Sequence, residues 1–203
     1  KGDGLKTTDI TQQALALLAA KVGAALYWAI WGAKRNDSGT KTVDLFDGFD
    51  TIAAKEVKDG NVSVAKGNLY DLDIATIDKT NAVDTLKEIW RKADYHLKQG
   101  SCKLFVPSFV LDAYNDDYKI TTGAIPYNTQ FNQTFVEGSG NKCEIVALPN
   151  KADSKFMQLT TKSNMLVGTC QMSDEESVSI EKYSPFVLDF VMTMFFGTQY
   201  ESI

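Results

Sequence analysis

The sequence predicts an α+β fold, and three stretches carry that prediction. Residues 9–31 place apolar side chains at helical spacing. Residues 81–114 run helix, strand, helix. Residues 186–196 form an apolar β run whose only charge is Asp189.

The first helix starts at Asp9, with Gln12 three residues on in the manner of a capping box. Leu15, Leu18, Val22, Ala25, Leu26 and Ala29 then recur at helical spacing. Gly32 is a C-terminal stop, and Lys34 and Arg35 follow where cations favour the negative end of the helix dipole. From Asp9 to Trp31 the helix is roughly 35 Å long. It is apolar on most sides, so more than one neighbouring layer has to cover it. Lys21 falls near the middle of the apolar stretch Ala14–Trp31, which is costly in lipid. The stretch therefore reads as a helix buried in protein and not as a membrane span.

Asn36–Thr42 is a polar turn. Leu45–Ile52 bends into a short helix that ends before Asp59–Gly60. Asn61–Asp78 reads as short strand pieces or loop. Asn81 caps the next helix, which runs to Gly100 with Val83, Leu86, Trp90, Ala93 and Leu97 on one face and Asp84 in its first turn. Lys103–Val106 is a short buried strand stopped by Pro107, and Ser108 caps a helix carrying Phe109 and Tyr114. Together these make an α/β unit. Thr121–Thr134 is an irregular loop, Gly138–Asn141 a turn, and Cys143–Leu148 a strand ended by Pro149. Phe156–Thr160 and Ser177–Tyr183 are further strands. Phe186–Phe196 is apolar on both faces, so it is expected to lie against the long first helix.

The 203 residues are 44% hydrophobic and 23% charged, enough for a real core without staples. A net charge of −5 argues against a dedicated nucleic-acid binder. The clusters Lys34–Arg35 and Arg91–Lys92 are too short to make a basic groove. Cys102, Cys143 and Cys170 are odd in number and form no CxxC pair, so they read as free thiols in a reducing compartment. His96 has no second imidazole or paired thiol at ligand spacing, which leaves both a zinc site and a Ser-His-Asp arrangement without support. Gly138-Ser139-Gly140-Asn141-Lys142 lacks the spacing of a phosphate loop and precedes a strand, so it reads as a hairpin turn. Asp71 with Asp73, and Asp112 with Asp116 and Asp117, match no calcium-loop spacing and read as helix-end and loop solvation. No catalytic, cofactor-binding or metal-binding residue is assigned, and no enzymatic activity, cofactor or small-molecule ligand is expected.

The order of elements resembles a known family. The long helix followed by Ala29-Ile30-Trp31-Gly32 and Leu45-Phe46-Asp47-Gly48-Phe49 is similar to the spine helix, and the turn leaving it, of the major capsid proteins of tailed double-stranded DNA phages. That fold is shared with the encapsulins. The helix Asn81–Gly100, the strand Leu104-Phe105-Val106-Pro107 and the helix from Ser108 to Tyr114 resemble the family's axial-domain core. Thr161-Lys162-Ser163-Asn164-Met165-Leu166-Val167-Gly168 looks like its late segment, and Val178–Gly197 like the strands that return along the spine helix. The resemblance spans nearly the whole chain, each motif being short and their order carrying the likeness.

The resemblance implies a peripheral domain (residues 1–43 and 176–203) in which the spine helix packs on C-terminal strands, and an axial α/β domain (residues 44–175). It implies a structural subunit of the virion, assembled in the bacterial cytoplasm. Its partners are other copies of itself in pentamers and hexamers, enclosing DNA without sequence-specific binding and without a membrane. The family's shell domain has no active site, so no functional residues carry over. In the family an N-terminal arm and an extended loop precede the spine helix, whereas Lys1–Thr8 precede it here. The expectation is that arm and loop are missing from this chain, which is then monomeric or weakly associated while the intact product forms rings and closed shells. An encapsulin-like compartment is the nearest alternative. An α/β enzyme using Asp71 or Asp112, and a surface binding module with paired cysteines, are readings from other classes.

Overall fold

The computed structural model describes residues 7–122, 134–169, 178–184, 187–192 and 194–202, and the surroundings of side chains at 12–120, 134–169, 189 and 194–202. The fold is α+β. Its helices are α1 (Thr7–Ala29), α2 (Phe49–Lys58), α3 (Ala82–Lys92), α4 (Tyr95–Gln99) and α5 (Ser108–Thr122). Its strands are β1 (Cys102–Pro107), β2 (Cys143–Leu148), β3 (Gln158–Thr160), β4 (Met165–Thr169), β5 (Val178–Ser184), β6 (Val187–Met192) and β7 (Phe196–Tyr200).

Strand β1 is the centre of the architecture. It pairs in parallel with β2 and antiparallel with β3. Successive side chains on a strand point to opposite faces. Cys102, Leu104 and Val106 therefore share one face, and all three are buried against α3 and α5 with Val83, Leu86, Trp90, Val110 and Tyr114. Each such aliphatic side chain contributes about 1.5–3 kcal/mol on full burial. Phe105 points the other way, where its ring lies 5.7 Å from that of Trp31. One strand thus serves two cores. The second core gathers Trp31, Phe49, Ile52 and Tyr200, with Ile30, Phe105, Leu148 and Met165 packed on it.

The corner between α1 and α2 follows from unsatisfied backbone groups. A helix ends with carbonyls that lack partners and begins with amides that lack them. Here the two ends meet. The amides of Gly48, Phe49 and Asp50 donate to the carbonyls of Ala33, Ile30 and Trp31 at 2.8, 3.1 and 2.9 Å. A side chain at position 48 has no room, since a Cβ there would sit 2.4 Å from the Trp31 carbonyl oxygen. Glycine is what the close approach requires. Strand β7, paired antiparallel with β4, closes the corner. Phe196 stacks edge-on to Phe46 at 4.7 Å, Tyr200 packs on Phe49 at 5.2 Å, and Thr198 Oγ1 donates to the Asp47 carbonyl at 2.6 Å.

Several expectations are corrected. α1 begins at Thr7, so Asp9 lies within its first turn and not ahead of it. No basic residue sits in its last turn; Lys34 and Arg35 lie beyond it, in the segment that meets α2. The helix expected over Asn81–Gly100 is two, broken where Ala93 turns to extended backbone and Asp94 accepts the His96 amide at 2.7 Å. Asn81 makes no side-chain cap. Its amide group reaches back to the Thr76 carbonyl and the Asp78 amide. Residues 61–78, read as short strand pieces or loop, are loop with two 3-10 turns, Val64–Lys66 and Ile74–Thr76. The run 186–196 is not one strand. Residues 187–192 pair with β5 as a two-stranded sheet, and Phe196 opens β7. Among the described side chains it is Phe196 that reaches α1, packing with Leu26, Ala29 and Ala33. Most of the loop expected at Thr121–Thr134 lies outside the described residues.

Candidate functional site, a buried lysine cluster and an uncovered helix

Two features stand out, one sealed and one open. The sealed one is Lys151, the last residue of the 3-10 turn Pro149–Lys151 that follows β2. Its residue is 1% exposed. Its ammonium donates to Asp50 Oδ1 at 2.6 Å and to Ser154 Oγ at 2.8 Å, and lies 4.5 Å from the centre of the Trp31 ring. Gln158 Nε2 donates to the same Asp50 oxygen at 2.6 Å. Burial lowers the Lys151 pKa, and the Asp50 carboxylate opposes that shift. Tyr200 closes the cluster, its hydroxyl 3.4 Å from the Phe49 carbonyl. Burial first, and the Asp50 charge second, raise its pKa well above the usual phenol range.

A lysine beside a serine hydroxyl has the makings of a nucleophile pair. The geometry works against that role. Ser154 Oγ already accepts the Phe156 amide and donates to the Phe156 carbonyl, each at 3.0 Å. The Lys151 side chain is fully enclosed, and its ammonium is already committed to Asp50 and Ser154. The cluster instead ties α2, the turn after β2, β3 and the end of α1 into one unit.

The open feature is α1. It is amply apolar in sequence, yet among its described side chains Ala29 alone is buried. Leu17 is 58% and Trp28 60% exposed, and Tyr27 is exposed as well. The helix is held at its C-terminal end, by residues 46 and 196 and by Asn150, whose side chain donates to the Tyr27 carbonyl. No helix among the described residues is long and apolar enough to cross a membrane.

The groups weighed in the sequence do not converge. His96 sits exposed on α4 beside Tyr95. Cys102 and Cys143 are free, buried and opposite each other in the β1–β2 register; burial raises both thiol pKa values. Cys170 lies outside the described residues. Gly138, Gly140 and Asn141 take positive φ in a hairpin-type turn ahead of β2. Asp71, Asp73, Asp112 and Asp116 are exposed. Asp117 is not the solvated helix end expected of it. It is 4% exposed and accepts the Val83 amide at 2.7 Å, capping α3 from α5. Among the described residues no three His, Cys, Asp or Glu side chains come together to hold a metal ion.

The sequence reading missed Lys151 and Asp50. Neither carries a local mark: one follows a strand-ending proline and one lies in the first turn of a helix. Their pairing spans 101 positions and leaves no local signal. No protein-family model, no curated protein and no solved structure matches the chain.

Proposed function

We propose that this chain is a shell subunit, the major capsid protein of a tailed double-stranded DNA phage, and acts structurally and not as an enzyme. The observation that carries the reading is the uncovered helix α1. A 23-residue helix with Leu17, Tyr27 and Trp28 in solvent is what a subunit offers before its neighbours cover it. The element order agrees with the capsid resemblance, with a long helix fixed at one end to a β-ribbon and an α/β lobe beside it.

The test is expression of the complete gene product in bacteria, followed by light scattering and electron microscopy. Closed shells of uniform size that protect double-stranded DNA in infected cells are expected. A product that stays monomeric at all salt and protein concentrations overturns the reading. Uniform shells that hold enzymes in place of DNA replace it with an encapsulin-like compartment.

A further inference from the structure

Beside the C-terminal end of α1 runs an open groove between α2 and the segment 149–156, with Trp28 on its rim. Six cations and four carboxylates line it, on a chain whose net charge is −5. Two of those carboxylates are already used, Asp50 by Lys151 and Asp37 by Arg35. Asp47 accepts the Arg35 amide, and Asp153 is exposed. Against these two remaining carboxylates stand Lys34, Lys55, Lys58 and Lys155, all exposed and none in an ion pair among the described residues, so the groove keeps an excess of positive charge.

The opposite charge gathers elsewhere on the same chain. The contact of Asp117 with the Val83 amide joins α5 to the start of α3, and Asp116 and Asp84 are the chain neighbours of the two residues that make it. Asp112 lies one helical turn from Asp116, and Asp78 lies just ahead of α3. All four are exposed. Two lysines stand among them, Lys79 and Lys119, and Lys119 pairs with Asp116 at 3.7 Å.

We propose that the acidic edge formed by α3 and α5 of one copy seats in the lysine groove of the next, giving a head-to-tail contact between copies of this chain. The proposal rests on the shell reading and specifies one of its contacts. Two different patches that fit each other make a heterologous contact, the kind that closes rings. Charge complementarity of this sort sets register and partner choice more than raw affinity. A nucleic-acid backbone is the other polyanion that fits these four lysines. The acidic edge on the same molecule, presented by every copy at the same concentration, favours the second copy.

The test is charge exchange, read by sedimentation equilibrium of the 203-residue chain at low salt. Lys34→Glu with Lys155→Glu is expected to weaken self-association about tenfold, and so is Asp112→Lys with Asp116→Lys. None of the four positions caps a helix, and circular dichroism verifies that each variant is folded. Mixing the two variants should restore association, because the reversed groove then meets the reversed edge. Wild-type association should also fall as salt rises. No wild-type self-association at low salt overturns the proposal, as does a mixture no stronger than either variant alone. Loss of DNA binding in the lysine variant with self-association unchanged assigns the groove to nucleic acid and overturns it too. The shell reading is judged separately, by whether the complete gene product forms shells.

Discussion

At the residue scale, Lys151 and its neighbours join elements far apart in sequence. Removing one partner of a buried pair leaves the other charged and unsatisfied, which costs about 3–5 kcal/mol. Lys151→Met is therefore expected to destabilise by that amount in urea unfolding, and adding Asp50→Asn should recover much of the loss. Simple additivity of the two substitutions would show that the residues are not coupled. Tyr200 gives a pH signature. Its folded pKa lies above its unfolded value, so the folded state holds the proton more tightly. That contribution is fully present below about pH 10 and declines by at most about 1.4 kcal/mol per pH unit above it. Lys151, with its pKa lowered, has the opposite sign: its folded state binds the proton less tightly, so stability rises as pH climbs from the lowered value toward the ordinary lysine range. The comparison of wild type with Tyr200→Phe isolates the phenol. The variant should lose less stability between pH 10 and 11 than the wild type, measured by thermal melts. Parallel curves would place the phenol in water.

At the element scale, the legible parts are those whose ends are written locally. β2 runs from Cys143 to Leu148 and stops at Pro149, as read, and the Gly138–Asn141 turn takes the positive φ its residues favour. α2 ends at Lys58, ahead of Asp59–Gly60. What stayed hidden acts between elements. Asp117 caps α3 from 34 positions away, and the carbonyls of the turn that follows α1 are satisfied by the amides that begin α2. The apolar run 186–196 misled because hydrophobicity does not mark where a chain leaves one sheet for another; β6 pairs with β5, and β7 with β4. The candidate site was legible only as an absence of local motifs. Gly48→Ala tests the α1–α2 corner. The Cβ has to push back the Trp31 carbonyl, so a loss of about 1–3 kcal/mol is expected in urea unfolding. An unchanged midpoint would mean the corner is loose. The outer face of α1 should behave in the opposite way. Leu17→Ser with Trp28→Ser touches no buried contact, so the isolated chain should keep its stability to within about 0.5 kcal/mol. The same pair placed in the complete gene product should stop assembly.

At the scale of the whole molecule, two cores share strand β1, and the Lys151 cluster locks the end of α1 to the α/β lobe. A lobe with its own core that carries a long exposed helix fits the proposed role of a shell subunit, in which α1 and the lysine groove are the surfaces left for other copies. The proposed function requires another copy to cover the apolar face of α1. A cryo-electron microscopy reconstruction of particles formed by the complete gene product checks this. Closed shells in which Leu17, Tyr27 and Trp28 are buried against a neighbouring subunit are expected. Closed shells with those side chains left in solvent would overturn the proposed role of α1.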